Sequence, residues 1–252
     1  MDSEKVQNLR EWAKEYNNLK YFQEDPIQLP RKFTRKQDIE IAGFLAAWIS
    51  QGNRKQIYAT TEKLYQLIGD HPYDFIQQGD FSSLRGNLHA TEKRDTLYRF
   101  YTYDDLRQVC GKLRYIYSQY DCLEEALNGG KPCPNPIKSL REMFNGIRGI
   151  PVPDSKSACK RLAMFLRWMV RRDGIVDLGI WKDAVQPQQL LIPLDTHVYQ
   201  IAHDKDKLNI TRGRNHTWNT AKEITEAMAE VFPDDPCLGD FALFGYDINN
   251  RK

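Results

Sequence analysis

One lysine and one aspartate in this sequence, Lys160 and Asp195, have types and surroundings that could do chemistry together. Lys160 falls near the start of an amphipathic segment, where a helix carries partial positive charge. Further cations close by in the chain are Lys156, Arg161, Arg167 and Arg171. Like charges disfavour an ammonium ion, and the neutral amine is a nucleophile. The alternative interpretation is an ordinary solvated lysine.

Asp195 directly follows Pro193 and Leu194 and precedes the short helical pattern THVYQIA. This position predicts a helix N-cap, whose carboxylate accepts a hydrogen bond from a backbone amide two or three residues later. A carboxylate held in this way stays ionised, and it could also stabilise positive charge that develops nearby. The two roles are compatible, and the spacing alone leaves both open.

The polar segment SQGNRK, residues 50–55, follows an apolar helical run. Its candidate binding residues are Gln51, Asn53, Arg54 and Lys55. Glutamine and asparagine side chains can read the base edges of nucleic acids, and arginine and lysine bind phosphates. The alternative is a polar turn that connects two helices.

The sequence predicts neither a metal site nor a bound cofactor. His197 and His203 lie six residues apart with no third ligand in evidence, and the five cysteines form no C-x-x-C pair. Zinc and iron–sulfur sites depend on closer ligand spacing. A serine hydrolase of the α/β type is also excluded, because the sequence has no G-x-S-x-G turn.

Apolar residues recur at three- and four-residue spacing through most of the chain, which predicts α-helices. These helices must position the candidate residues. No alternating strand pattern is evident, and the predicted fold class is all-α. The run over residues 38–50 is apolar nearly all round, which is typical of a buried helix. The stripe from Leu162 onward predicts a helix with its N-cap at Asp154 or Ser155 and its end near Gly174.

Composition limits the classes of partner. The 252 residues carry 36 basic and 34 acidic side chains, which gives a net charge of +2. The mean hydropathy is −0.65. No run of about 18 apolar residues occurs and the N-terminus is charged, so we expect a cytoplasmic protein without a membrane span or secretory signal. A nucleic-acid interface would therefore depend on local basic clusters.

Three segments carry a family resemblance: FLAAWISQGNRKQIYATTEKLYQLI, CKRLAMFLRWMV and IPLDTHVYQIA. In this order they resemble segments of the helix-hairpin-helix DNA glycosylase superfamily, which includes endonuclease III and the 8-oxoguanine glycosylases. The last segment is similar to the V-D-T-H-V-x-R signature of that superfamily. By this resemblance Gln51 matches the glutamine that enters the duplex, Lys160 the Schiff-base lysine and Asp195 the catalytic aspartate.

The chain departs from that superfamily before Lys160, where IPVPDSKSACK stands in place of the hairpin L-P-G-V-G. The sequence also resembles an uncharacterised bacterial family of unknown function. That resemblance rests on ACKRLAMFLRWMV at residues 158–170, IPLD at residues 192–195 and DPCLGDFALFG at residues 235–245.

The superfamily resemblance implies two helical lobes with the active site in the cleft between them. The central lobe would span residues 33–173, and residues 1–32 with 174–252 would form the second lobe. The implied function is a base-excision repair glycosylase with AP lyase activity. It would act as a monomer on double-stranded DNA with a damaged base, in the nucleoid of a bacterial cytoplasm, and would need no cofactor.

Each candidate then has an implied role. Lys160 would attack the sugar C1′ and Asp195 would stabilise the positive charge. The residues expected to contact DNA are Gln51, Asn53, Arg54, Lys55, Lys156 and Arg161. The side chains that could stack on a flipped base, or else belong to the core, are Trp168, Trp181 and Phe244.

Two alternatives stay open at this point. The first is a catalytically inactive nucleic-acid-binding protein on the same scaffold, which the replaced hairpin and the near-neutral charge favour. The second is a helical scaffold that binds a protein partner.

Overall fold

The computed structural model describes residues 1–86, 95–152, 154–204, 207–213 and 215–250. Within these ranges the protein is mostly helical, with eleven α-helices and one two-stranded sheet. The elements in chain order are α1 (Ser3–Tyr16), α2 (Lys36–Ile49), α3 (Arg54–Ile68), α4 (Pro72–Gln78), β1 (Thr96–Tyr98), β2 (Tyr101–Thr102), α5 (Tyr103–Tyr117), α6 (Leu123–Ala126), α7 (Pro136–Met143), α8 (Lys160–Val170), α9 (Thr196–His203), α10 (Trp218–Val231) and α11 (Leu238–Asn250). Helical periodicity therefore predicted the fold class correctly.

Helix α2 lies at the centre of the core. Every residue from Asp38 to Ile49 is buried, as the all-round apolar pattern predicts. Helix α2 packs against α8, and a Cβ added at Gly43 would lie 2.6 Å from the Cε atom of Met169. The absence of a side chain at Gly43 therefore allows the close approach of the two helices, which fixes the direction of α8.

A buried carboxylate of α2 joins several elements. Glu40 accepts hydrogen bonds from the Trp181 indole at 2.7 Å, the Tyr117 hydroxyl at 2.9 Å and the Leu123 amide at 2.8 Å. Burial raises the pKa of Glu40, and these three donors oppose the rise. The carboxylate thus connects α2, α5, α6 and the segment after α8.

Helix α8 begins later and ends earlier than the sequence predicts. It begins at Lys160, after Cys159 in the left-handed region with φ 52°, and not after an N-cap at Asp154 or Ser155. It ends at Val170, before Gly174, because the following chain turns back on it. There the amide of Trp181 donates to the carbonyl of Met169 at 2.8 Å. Lys160 consequently occupies the first position of the helix.

The two ends of the chain pack together. Helix α1 lies against α11, and the Trp12 and Tyr246 rings stack with centroids 3.9 Å apart. Helix α11 also contacts α9, and Arg167 of α8 pairs with Asp240 of α11. The N-terminal and C-terminal helices are therefore in direct contact. The division into two lobes, at residues 33 and 173, stays a prediction.

The sheet is a feature that the sequence analysis missed. Strands β1 and β2 pair antiparallel around Arg99, which has a φ of 53°. Strands of three and two residues are too short to show an alternating pattern. Among the described helices, none has both the length and the apolar character needed to cross a membrane.

Candidate functional site

The structure brings Lys160 and Asp195 together. The Nζ atom of Lys160 lies 3.8 Å from the Oδ2 atom of Asp195, across 35 residues of sequence (195 − 160). Both residues stand at helix N-termini, Lys160 as the first residue of α8 and Asp195 as the N-cap of α9. The Lys160 side chain is 38% exposed and that of Asp195 14%. The amine is therefore accessible, while the carboxylate is largely enclosed.

The two oxygens of Asp195 have different partners. Oδ1 accepts a hydrogen bond from the Val198 amide at 2.9 Å, so the predicted N-cap is confirmed. Oδ2 is the oxygen that lies nearest Lys160. The N-cap hydrogen bond fixes the direction of the carboxylate and uses Oδ1. Oδ2 is therefore available to the Lys160 amine.

Two adjoining cavities meet at this pair. The residues that border both are Ser50, Gly52, Lys160, Asp195 and His197. The outer cavity, of about 520 Å³, is also lined by Gln51 and residues 149–151. The inner cavity, of about 350 Å³, is also lined by the aromatic side chains Phe22, Trp168, Phe241 and Phe244 and the acids Asp25 and Asp240. Both volumes lie in the range of small-molecule sites.

His197 is a site residue that the sequence analysis considered only as a metal ligand. Its Nδ1 atom lies 2.8 Å from Asp247 Oδ2, and its ring meets Phe244 edge to face at 5.1 Å. In the described ranges no group of three or more side chains could hold a metal ion. Its place two residues after Asp195 could have indicated a site role, whereas nothing in the sequence indicates its pairing with Asp247.

The turn after α2 places Gln51 at the outer cavity. Gln51 is exposed, and its carbonyl accepts from the Tyr98 hydroxyl at 3.0 Å. Gly52 follows with a φ of 116°, a conformation that L side chains rarely adopt. Asn53 is the N-cap of α3 and accepts from the amide of Lys55 at 3.0 Å. Of the four candidates in SQGNRK, Gln51 and Lys55 are exposed, and Asn53 caps a helix.

Arg54, which the sequence analysis expects to contact DNA, has acceptors for its guanidinium within the protein, and its side chain is 35% exposed. It donates to the carbonyls of Tyr21 and Glu24, and its Nη2 lies 3.6 Å from Asp25 Oδ2. These contacts hold the segment after α1 against α3. The polar sequence SQGNRK does not indicate that Arg54 has acceptors within the protein whereas the neighbouring Lys55 is exposed.

Arg161 is also used inside the protein. Its guanidinium donates to the Trp48 and Gly149 carbonyls and to the Tyr101 hydroxyl. Through these contacts Arg161 attaches the loop before α8 to α2 and to the β1–β2 sheet. A direct phosphate contact by Arg161, as predicted, would have to compete with three internal acceptors.

The four cations expected around Lys160 take different positions: Arg161 lines the outer cavity and Arg167 the inner cavity, each together with Lys160. Lys156 lines a separate surface groove beside Trp218. Arg167 pairs with Asp177 and Asp240, and Arg171 pairs with Asp173, Asp177 and Asp235. The nearest charge partner that the structure gives the amine is the Asp195 carboxylate.

The three aromatic residues that were predicted to stack on a flipped base or to belong to the core take different positions in the structure. Trp168 and Phe244 line the inner cavity. Trp181 does not line either cavity, because it is fully buried in the core and donates to Glu40. The prediction of a stacking role for Trp181 is therefore not supported by its position.

Buried acids lie on the inner side of the cavity. Burial raises the pKa of Asp240 to about 6, although the paired Arg167 lowers it. Burial also raises the pKa of Asp25, which Arg54 opposes. Asp240 pairs with Arg167 and Asp25 lies near Arg54, so the inner cavity combines aromatic walls with charges of both signs.

The segment that stands in place of the superfamily hairpin is irregular where the structure describes it. Pro153 lies outside the described residues. Gly149 has a φ of 83°, and Ser157 forms an isolated antiparallel bridge with Thr217. The Trp218 amide donates to the Lys156 carbonyl at 2.9 Å. This loop is consequently tied to the start of α10.

Fold and site together define a mostly helical protein with an amine–carboxylate pair between two cavities. The family model for a protein of unknown function, DUF2400, matches residues 25–249. The chain belongs to this family. The matched range includes Lys160, Asp195, His197 and Asp247. A comparison with curated proteins gave no significant match.

Proposed function

We propose that the protein is a DNA glycosylase with AP lyase activity, which removes a damaged base from duplex DNA through a lysine Schiff base. The observation that carries this proposal is the meeting of Lys160 and Asp195 at 3.8 Å, at the junction of two cavities. An accessible amine, a directed carboxylate and an aromatic pocket are what such chemistry needs. The resemblance of the segments around both residues to the helix-hairpin-helix glycosylases gives independent support.

The proposed reaction begins with a flipped nucleotide, because the glycosidic bond of a stacked base is out of reach. The neutral Lys160 amine attacks C1′, so an Nζ–C1′ bond forms and the C1′–N bond to the base breaks. The base leaves with the electron pair and takes up a proton. Opening of the sugar ring at O4′ gives an iminium ion, and loss of a C2′ proton then expels the 3′ phosphate and cuts the strand.

Asp195 has two tasks in this scheme. Its Oδ2 atom can accept the proton that the Lys160 ammonium must lose before attack. Once the base departs, the same carboxylate stabilises the positive charge that builds on the sugar. The hydrogen bond from Val198 holds the carboxylate in place throughout, so little reorganisation accompanies the reaction.

The duplex would bind across the mouth of the outer cavity, in a cleft between two helical lobes of the glycosylase type. Gln51 at that mouth would enter the duplex, and Lys55 and Lys156 would contact phosphates. Arg54 and Arg161 would instead stabilise the walls, since their guanidinium groups have internal acceptors. Phosphate contacts would then be few, in keeping with the net charge of +2.

The second candidate is a nucleic-acid-binding protein without catalysis. The observation in its favour is the loop before α8, which is bridged to Thr217 at the start of α10 and whose Gly149 carbonyl accepts from Arg161 of α8. A changed hairpin could bind DNA in a register that keeps C1′ away from Lys160.

Strand cleavage of a duplex with a single abasic site distinguishes these candidates, because that substrate requires no knowledge of the damaged base. We expect the wild-type protein to cut on the 3′ side of the abasic site and Lys160→Gln to be inactive. Lys222→Gln is the matched control, since it removes an exposed lysine of α10 that pairs with Glu226 and lines neither cavity. Binding of the duplex without cleavage by the wild type would reject the lyase and favour the second candidate.

A further inference from the structure

The proposed lyase reaction needs two proton transfers from the reacting groups, and the first already has a base. Asp195 can accept the proton that the Lys160 ammonium loses before attack. The second proton leaves C2′ of the iminium ion, one bond away from the carbon that is attached to Lys160. A base for this second step must therefore border the same space as the Lys160 amine.

Few side chains at the junction of the two cavities could accept the C2′ proton. The described residues that border both cavities are Ser50, Gly52, Lys160, Asp195 and His197. The Ser50 hydroxyl donates to the Ala46 carbonyl at 2.6 Å and is no base. At this stage the Lys160 nitrogen is bonded to C1′, and Asp195 holds the proton that it took from the ammonium. His197 is the base that remains.

The contacts of His197 leave one ring nitrogen for the substrate. Its Nδ1 atom lies 2.8 Å from Oδ2 of the buried Asp247. An ionised carboxylate only accepts hydrogen bonds, so Nδ1 carries the proton of the neutral ring and Nε2 has the lone pair. No residue in the described ranges gives Nε2 a partner. The His197 side chain is 28% exposed and lines both cavities, so this lone pair can reach a bound sugar.

Two contacts from α11 hold the imidazole in place. Asp247 binds Nδ1, and the Phe244 ring meets the imidazole edge to face at 5.1 Å. A carboxylate behind an imidazole fixes its tautomer and stabilises the imidazolium that forms when Nε2 takes up a proton. His197 therefore has the arrangement of a general base, and Asp247 acts through it.

We propose that His197 is the base that removes the C2′ proton in the lyase step, with Asp247 as its positioning residue. This inference rests on the proposed function, because it needs the iminium ion that Lys160 forms. Nε2 takes the proton, and the electrons of the C2′–H bond form the C1′=C2′ bond of an enamine. These electrons then form the C2′=C3′ bond and the iminium ion is restored. The C3′–O3′ bond breaks, and the 3′ phosphate leaves with its electron pair.

Two readouts on one abasic duplex separate Schiff-base formation from elimination. Borohydride trapping measures the Schiff base, which needs Lys160, and strand cleavage measures the elimination. We expect His197→Gln to give the trapped adduct at the wild-type rate and to cleave the strand about 10²-fold more slowly. The DNA in its adduct should then be uncut, and a full yield of adduct also shows that the variant is folded. Equal slowing of both steps, or cleavage at the wild-type rate, would overturn the proposal.

Deuterium at C2′ of the abasic site tests the same step without a second substitution. In His197→Gln, breaking of the C2′–H bond should limit cleavage, so the deuterated duplex should be cut more slowly than the ordinary one. Formation of the adduct breaks no bond to this hydrogen, and its rate should be the same for both duplexes. Cleavage by His197→Gln that shows no isotope effect would contradict the role of His197 as the base.

Three further variants assign the role to one imidazole. His203→Gln is the matched control on α9, because His203 bonds to the Thr211 carbonyl, and it should equal the wild type in both readouts. Asp247→Asn should keep the adduct and slow cleavage, because the amide does not fix the tautomer. His216 lines the outer cavity but not the inner one. Loss of cleavage in His216→Gln, with cleavage retained in His197→Gln, would overturn the assignment.

The result is separable from that of the proposed function. The absence of an adduct with the wild-type protein would reject the Schiff-base reaction itself, and His197 with it. An adduct with the wild type and full cleavage by His197→Gln would reject His197 as the base and keep the lyase. An adduct without cleavage in His197→Gln supports both.

Discussion

The Nδ1 atom of His197 lies 2.8 Å from Asp247 Oδ2, and this contact joins the start of α9 to the last helix of the chain. His197 borders both cavities, two residues after the carboxylate that faces Lys160. The contact therefore holds an imidazole at the junction where a flipped nucleotide would pass. Helix α11 therefore contributes to the site in two ways. Its Asp247 pairs with His197, and other side chains of the same helix line the inner cavity.

His197 should affect the rate of strand cleavage. We expect His197→Gln to slow single-turnover cleavage of an abasic duplex by about 10²-fold, because a general base held in place typically contributes about 10²–10⁴-fold. His203→Gln is the matched control on the same helix, since His203 bonds to the Thr211 carbonyl away from both cavities. Equal rates for the two variants would assign His197 a structural role only.

Asp195→Asn separates capping from catalysis. Asparagine caps as well as aspartate, so the melting temperature should stay near that of the wild type. The variant lacks the carboxylate that acts as positive charge builds, and excision should slow by about 10²–10³-fold. Single-turnover kinetics on a lesion that the wild type removes would measure this, with retained binding to abasic DNA as the control. A wild-type rate would reduce Asp195 to a helix cap.

Asp240 should leave a signature in the pH dependence of stability. Its pKa is about 6 in the folded protein against an ordinary value of 3.8, so the folded state binds the extra proton between these values. The contribution of Asp240 to the free energy of unfolding should thus fall as pH rises from about 4 to 6, by roughly 3 kcal/mol.

Urea titrations of wild type and Asp240→Asn across that pH range would measure the effect. Other groups contribute alike to both proteins, so the difference in unfolding free energy isolates Asp240. A difference that does not change with pH would show that burial does not perturb this carboxyl.

Arg54 and Lys55 should respond in opposite ways although they are neighbours. Arg54→Gln loses contacts with Tyr21, Glu24 and Asp25, and it should destabilise the protein by about 1–3 kcal/mol. Lys55→Gln should leave stability within about 0.5 kcal/mol and lower the salt dependence of DNA binding by about one ion. Thermal unfolding and binding at several salt concentrations would check both, and the reverse pattern would contradict the assigned roles.

Local signals predicted the elements well and the contacts between them poorly. The cap at Asp195 followed from its place before THVYQIA, and the burial of α2 followed from its apolar run. The start of α8 was missed because Cys159 adopts a left-handed conformation, which the residue type does not indicate.

Charged and aromatic residues were the least predictable part of the site. The residue types make Arg54, Arg161 and Trp181 candidates for nucleic-acid contacts, but the direction of each side chain depends on acceptors far away in the chain. Arg161, for example, is turned inward by the carbonyl of Trp48, and Trp181 by Glu40. The partner of His197, Asp247, lies 50 residues away, beyond the reach of any local pattern.

The central claim is that Lys160 forms a Schiff base with abasic DNA, and borohydride trapping tests it most directly. Hydride adds to the iminium carbon and converts it to a stable amine, which links protein and DNA covalently. We predict one adduct with the wild-type protein, mapped by peptide mass spectrometry to Lys160. Lys160→Gln should give none, and the control Lys222→Gln should give the full yield. No adduct from the folded, DNA-bound wild type, or a full yield from Lys160→Gln, would contradict the account.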